Sequence, residues 1–222
     1  MLSDRGSVSG DGTNFLRAVF AWMFFGLLLS AASAFFVLAS PGLQAFVINA
    51  YVILAIIELV LVVVLSWLIN KIPTPVAMLL FVVYSLVSGV TLLAIVLAYT
   101  ETSVAMVFLI TSGMFGAMSV YGFVTKRDLS GLGAMLFMAL VGIILASIVN
   151  IFLNNAVIDL LTSIVGVIIF TGLTAYDVQR IRRIGIDAGG DSKYAIVGAL
   201  ALYLDFINLF ISLLRLFGKR RD

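Results

Sequence analysis

Phe46-Val47-Ile48-Asn49-Ala50-Tyr51-Val52-Ile53-Leu54-Ala55-Ile56-Ile57-Glu58-Leu59-Val60-Leu61-Val62-Val63-Val64-Leu65-Ser66-Trp67-Leu68-Ile69 contains a single charged side chain, Glu58. A helix needs about 20 predominantly apolar residues to cross a bilayer, and this stretch supplies them. Comparable runs occupy 15–39, 76–99, 104–124, 131–153, 157–181 and 195–217. With 63% hydrophobic and 11% charged residues over 222 positions, the chain cannot clothe a soluble core in polar groups. The pattern predicts an all-α integral membrane protein: a seven-transmembrane-helix bundle at 15–217, a polar cytoplasmic tail at 1–14 that is disordered over Met1–Thr13, and a basic C-terminal tail at 218–222.

The first run is longer than the apolar core of a signal peptide and lacks a small-residue cleavage site, so it reads as a retained helix. Cysteine and histidine are both absent, which excludes disulfides, thiolate metal sites, cysteine catalysis and the usual proton shuttle. Asp and Glu must carry any proton chemistry, and neither an enzyme, a resident cofactor nor a nucleic-acid partner is expected. Arg5, Arg17, Lys71, Lys126, Arg127, Arg180, Arg182, Arg183 and Lys193 fall at the N-terminus or in alternate connections, while the remaining loops carry Glu101 and Asp159. The excess of positive charge on cytoplasmic loops then places the N-terminus in the cytoplasm. Lys219-Arg220-Arg221 dissents, since a complete seventh span puts it outside. A re-entrant last helix is the alternative; the full span is preferred because 195–217 would rise about 35 Å.

Two acids lie within the last two helices: Asp177 in Thr174-Ala175-Tyr176-Asp177-Val178-Gln179 and Asp205 in Leu202-Tyr203-Leu204-Asp205-Phe206-Ile207-Asn208. An Asp at a helix centre costs roughly 2.5–3.5 kcal/mol on insertion scales, so such acids face a bundle interior or a wet cavity and mark ion or proton pathways. For an antiparallel hairpin turning near Ala188–Gly190, Asp177 lies level with Ala201, and Asp205 is one turn, about 5.4 Å, deeper. Gly198, Ala201, Asp205, Asn208, Ser212 and Arg215 form a small and polar stripe on the last helix, and Ser163, Gly166, Thr174 and Asp177 answer it on the one before. The last helix is therefore expected at the centre of the bundle.

Plainer roles compete for several of these residues. Asp177 is in register for an ion pair with Arg180, Glu58 can be satisfied by one hydroxyl of a neighbouring helix, and Lys71 with the Arg180, Arg182 and Arg183 group can serve topology alone. Arg215 reads as an interface anchor, and the Phe, Met and Tyr residues as packing.

Thr174–Gln179, Ala201–Phe210 and Lys126-Arg127-Asp128-Leu129-Ser130 together resemble the Bax inhibitor-1 family, the transmembrane Bax inhibitor motif proteins, in a bacterial-type member. The likeness spans nearly the whole chain. It implies a seven-helix bundle with the last helix central, a prokaryotic inner-membrane location, a paired-aspartate pH sensor at Asp177 and Asp205, and a pH-dependent calcium leak. The family's acid on helix 2 corresponds to Glu58. Where some bacterial relatives carry a basic residue in contact with the sensor, this chain has Ile69 and Asn70, with Lys71 just beyond.

The chemistry of the residues leads the same way. Two carboxyls in one low-dielectric site cannot both ionise cheaply, so the pair titrates as a unit and can respond to pH. Calcium favours six to eight oxygens; Asp177 and Asp205, with Asn208, Thr174, carbonyls and water, offer a loose shell suited to transient contact and release. Glu101 and Asp159 are placed to attract cations from outside. An intramembrane aspartyl protease also pairs Tyr-Asp with a second acid, but requires Gly-x-Gly-Asp where this chain has Tyr203-Leu204-Asp205, and a retinal protein needs a lysine that 195–217 lacks. The remaining alternative is a non-transporting regulator that binds other membrane proteins through its N-terminal tail.

Overall fold

The computed structural model describes residues 4–187 and 191–221, and among them are seven helices and no strand: α1 (Asp4–Leu38), α2 (Pro41–Trp67), α3 (Thr74–Val96), α4 (Glu101–Val124), α5 (Ser130–Leu153), α6 (Ala156–Asp187) and α7 (Ser192–Phe217). All seven are long and apolar enough to cross a membrane. Punctuation in the sequence sets several boundaries. Pro41 and Pro75 stand in first turns, where a missing N–H costs nothing. Between α5 and α6, Asn154 takes the left-handed conformation at φ 48°, and the Asn150 side chain accepts the Asn155 N–H at 2.9 Å while donating to Asp159 at 3.0 Å.

Two helices run beyond their expected ends. α1 already begins at Asp4, so the tail expected to be disordered continues the helix over 4–14; residues 1–3 lie outside the described part. From Gly12 on the helix is packed: an added Cβ at Gly12 would stand 3.0 Å from Ile186, and one at Gly185 would stand 2.4 Å from the Phe15 ring, so α1 at Gly12–Phe15 lies tight against α6 at Gly185–Ile186. α6 in turn continues to Asp187, which puts Arg180, Arg182 and Arg183 on a helix rather than in the connection. The expected turn centre, 188–190, is outside the described residues.

The chain divides into two compact units, Met1–Ala98 with Arg182–Tyr203, and Tyr99–Ile181 with Leu204–Asp222. In the first, α3 packs against both α1 and α2. Gly89 and Gly26 bring the backbones of α1 and α3 together: an added Cβ at Gly89 would lie 2.1 Å from the Ser30 carbonyl oxygen, and one at Gly26 would lie 2.8 Å from Phe81. Val37, Val47 and Leu93 close the far end with Ala34, Leu54, Val90 and Leu97. In the second unit, Phe206 stacks edge-on against Phe108 and Phe115, Gly166 lies under Ser212, and Gly122 under the Ala175 carbonyl.

α7 is the most enclosed helix: 67% of its most apolar window is buried, against 6% for α2 and 11% for α5. The outer faces of α2 and α5 present Val52, Ile56, Leu59, Phe137, Met138 and Phe152, a surface only hydrocarbon suits.

α7 is also long enough for a complete span. It holds 26 residues, about 39 Å at the helical rise. Tyr194 in its first turn donates to Asn70 Oδ1 in the α2–α3 turn at 2.8 Å. Past its last turn, Thr100 N donates to Lys219 O at 2.9 Å, Lys219 N donates to Ser103 Oγ at 3.0 Å, and Arg221 pairs with Glu101 at 2.9 Å. Each end of α7 is thus tied to a connection within its own unit, and the helix between them is continuous, as the preferred full span requires. Both partners of the Arg221–Glu101 pair are well exposed, so it contributes at most about 1 kcal/mol. The pairing also offsets the negative charge that Glu101 was expected to offer cations.

Candidate functional site

Asp177 and Asp205 are brought together. Their side chains are in hydrogen-bonding contact, both within the second unit. Asp205 is 4% exposed, and its Oδ2 has no hydrogen-bond partner in the protein. Arg180, exposed one turn further along α6, is close enough to act on Asp177 electrostatically, as its spacing suggested. A hydrogen bond between two carboxyls requires a proton on one of them, so the contact is chemically a proton-binding arrangement. Three buried side-chain oxygens lack a protein partner among the described residues, Ser119 Oγ, Thr171 Oγ1 and Asp205 Oδ2, and all belong to this unit. Such atoms are seldom left bare, and water or a cation is their natural complement.

The other expected oxygen donors are partly committed to their own helices. Thr174 is fully buried and its hydroxyl donates to Phe170 O at 2.7 Å. The Asn208 amide donates to Leu204 O at 2.8 Å, and Ser212 donates to Asn208 O at 2.7 Å. Asp159 bonds to Asn150 and is likewise no free lure for cations. Lys71 lies exposed in the α2–α3 turn.

Glu58 sits in richer surroundings than its own apolar helix suggested. Thr91 donates to Glu58 Oε1 at 2.5 Å, and Ser88 bonds to it as well. Ser88 also contacts the hydroxyls of Tyr84 and Tyr203, and Tyr203 pairs with Ser30 at 2.7 Å while Ser30 donates to Ser85 O at 2.7 Å. Four helices of the first unit thus contribute to one buried polar chain. Tyr203, fully buried, was expected to be packing only; its hydroxyl proves to be a member of this chain. The serines of α3 recur at three-residue steps, Ser85 and Ser88, with Thr91 next. That stripe was the available signal.

The Lys126-Arg127-Asp128-Leu129-Ser130 segment meets α6 directly. Gln179 Oε1 accepts the Leu129 N–H at 3.0 Å, and Gln179 Nε2 donates to Arg127 O at 2.8 Å. Asp128 Oδ1 receives both the Ser130 N–H at 3.1 Å and its hydroxyl at 2.7 Å, opening α5.

Seven helices apolar enough to span a membrane, with a carboxyl pair in contact on the last two, define a multi-pass membrane protein. The comparison with known proteins assigns it more closely. The family described as "Inhibitor of apoptosis-promoting Bax1" (Bax1-I) matches residues 12–222, and the chain belongs to this Bax inhibitor-1 family. It is 48% identical over 215 residues to "Inner membrane protein YbhL" of Escherichia coli K12, covering 93% of this chain and 92% of that one. It is 43% identical to an uncharacterized protein of Borreliella burgdorferi, covering 94% and 93% of the two chains. A Deinococcus radiodurans protein is 40% identical, covering 94% and 91%.

Proposed function

We propose that this chain is a calcium leak pathway of the inner membrane whose conductance follows the protonation of the Asp177–Asp205 pair, and that it catalyses no covalent reaction and needs no resident cofactor. The observation carrying this reading is the contact between two carboxyls, one of them buried with an oxygen that has no protein partner. A proton shared across the contact holds the helices together. When the pair loses that proton, two like charges face each other in a poorly screening medium, and the contact must open or take up a cation. Either outcome couples pH to the space between the carboxyls. Calcium, a hard cation, suits two carboxylates completed by carbonyls and water, and so few fixed ligands allow release.

Purified protein in calcium-loaded liposomes, assayed across pH, tests the proposal. A pH-dependent efflux is expected. Tight liposomes at every pH would leave the regulator reading, in which the chain acts on other membrane proteins without transport.

The charge asymmetry supports an N-terminus in the cytoplasm and, with a full seventh span, a C-terminus outside. Reporter fusions at the two ends should therefore give opposite signals; matching signals would reverse the assignment.

Glu58 should act differently from the pair. In a Glu58→Gln variant the carbonyl oxygen still accepts from Thr91, so stability should change by about 1 kcal/mol or less. The pH profile of efflux should persist. Loss of flux at every pH would instead make Glu58 a ligand of the permeating ion.

A further inference from the structure

We infer that Gln179 is the positioning residue of the carboxyl pair: its side-chain amide clamps the α4–α5 connection to α6 two residues past Asp177 and thereby fixes where Asp177 stands. The clamp is a two-point pairing, with the carboxamide bound to the N–H of Leu129 and the carbonyl of Arg127, on either side of Asp128. A side chain that satisfies both groups of a neighbouring segment copies the pairing of two strands, and it fixes direction as well as distance. Gln179 and Leu129 are both buried, so the pairing is shielded from competing water. Leu129 in turn accepts the Gly133 N–H at 2.8 Å, which ties the clamp to the first turn of α5.

The backbone on the near side of Asp177 is gripped as well. An added Cβ at Gly133 would lie 2.5 Å from the Tyr176 ring, and one at Gly122 would lie 2.3 Å from the Ala175 carbonyl oxygen. α4 at Ala175, α5 at Tyr176 and the connection at Gln179 therefore bracket Asp177 from three directions, all within one compact unit. Asp177 is itself only partly enclosed, so its place opposite Asp205 depends on this bracket. The two stretches that stand out in the sequence, Lys126–Ser130 and Thr174–Gln179, are on this account one mechanical part. A pull on the exposed Lys126-Arg127 corner reaches the carboxyl pair through two hydrogen bonds.

The inference rests on Asp177 and Asp205 being the working pair, but its test needs no flux. The chain has no cysteine, so an Asp177→Cys/Asp205→Cys pair can be joined by oxidation or a short bis-alkylating reagent without side reactions. Adding Gln179→Leu should slow cross-linking by about tenfold, the scale of two lost amide hydrogen bonds. Amide exchange at Leu129 and Gly133 should quicken with it. Gln179→Glu keeps the length and one acceptor but cannot donate when ionised, and should give an intermediate rate if the leucine variant fails to fold. Gln44→Leu, on a bond to Leu38 O at the α1–α2 turn, should leave the rate unchanged. Unaltered cross-linking in both Gln179 variants, with Leu129 exchange accelerated, would overturn the inference. Dry, calcium-tight liposomes together with slowed cross-linking would instead defeat the transport reading and leave the clamp standing.

Discussion

Asp205→Asn should leave a folded protein whose calcium efflux no longer follows pH, and Asp177→Asn should do the same. The substitution keeps the shape of the side chain and removes the group that titrates. At Asp205 the consequence is sharpest, because that carboxyl is buried and Asp177 is its contact. The introduced amide can donate to the Asp177 carboxylate at any pH, so the pair stays closed whether or not a proton is available. Efflux across the pH range in which the unmodified protein responds should then vary by less than about twofold, roughly 0.4 kcal/mol of residual coupling. A flat and low efflux is expected from Asp205→Asn. Asp177 lies nearer the end of its helix, beside exposed Arg180, and its substitution should leave a flat profile of higher amplitude. Profiles like the wild type in both variants would remove the pair from the mechanism. Abolition of flux at all pH values by Asp205→Asn alone, with response retained in Asp177→Asn, would make Asp205 a conduction ligand and end its role as half of a sensor.

How much of this was legible beforehand varies with the physics of each feature. The spans were readable because hydrocarbon imposes length and polarity with little tolerance: the expected 131–153 became Ser130–Leu153, and 104–124 became Glu101–Val124. Helix ends facing water were less readable. Nothing in the Gly-containing segment near Gly12 announces helix, and the neighbour it packs against, Ile186, is too far along the chain to leave a local pattern. The same holds for α6, whose last turns carry arginines that suit a loop equally well.

Asp177 and Asp205 could be brought together from the sequence because a hairpin fixes relative depth and the stripes fix direction. Glu58 was harder. Its partners Ser88 and Thr91 come from α3, with Tyr203 of α7 joined through Ser88, and a helix pairing between distant segments cannot be derived from periodicity on α2. Gln179 shows no role in its motif, since a glutamine's bonds to a backbone 50 residues away leave no local pattern. Thr174 and Asn208 show what spacing alone leaves out: hydroxyls and amides on a helix in hydrocarbon also donate to the carbonyl one turn back.

Gly89→Ala should be among the most destabilising single-methyl changes available to this protein. Ordinarily Gly to Ala within a helix gains up to about 1 kcal/mol, because alanine loses less backbone freedom. At Gly89 the new Cβ would stand 2.1 Å from Ser30 O, 2.2 Å from Ser33 Oγ and 2.5 Å from Ser30 Cα. Two of those atoms are backbone, so no rotamer change relieves the clash, and α1 must move away from α3. Separation stretches the bonds that the close crossing permits, Ser30 to Ser85 O at 2.7 Å and Ser33 to Leu86 O at 2.9 Å, and it disturbs the Ser30–Tyr203 pairing at 2.7 Å. Overpacking of this kind costs about 1–3 kcal/mol, and each weakened buried bond adds about 1 kcal/mol, so the sum outweighs the propensity gain by roughly 3 kcal/mol. Gly113, Gly116 and Gly142 meet nothing within 4 Å, so alanine there should be neutral or mildly stabilising. Denaturation midpoints in micelles should separate the two groups by sign. If Gly89→Ala proved as stable as Gly113→Ala, the close α1–α3 crossing would be refuted, and with it the geometry that joins Ser30 to Tyr203 and so to Glu58.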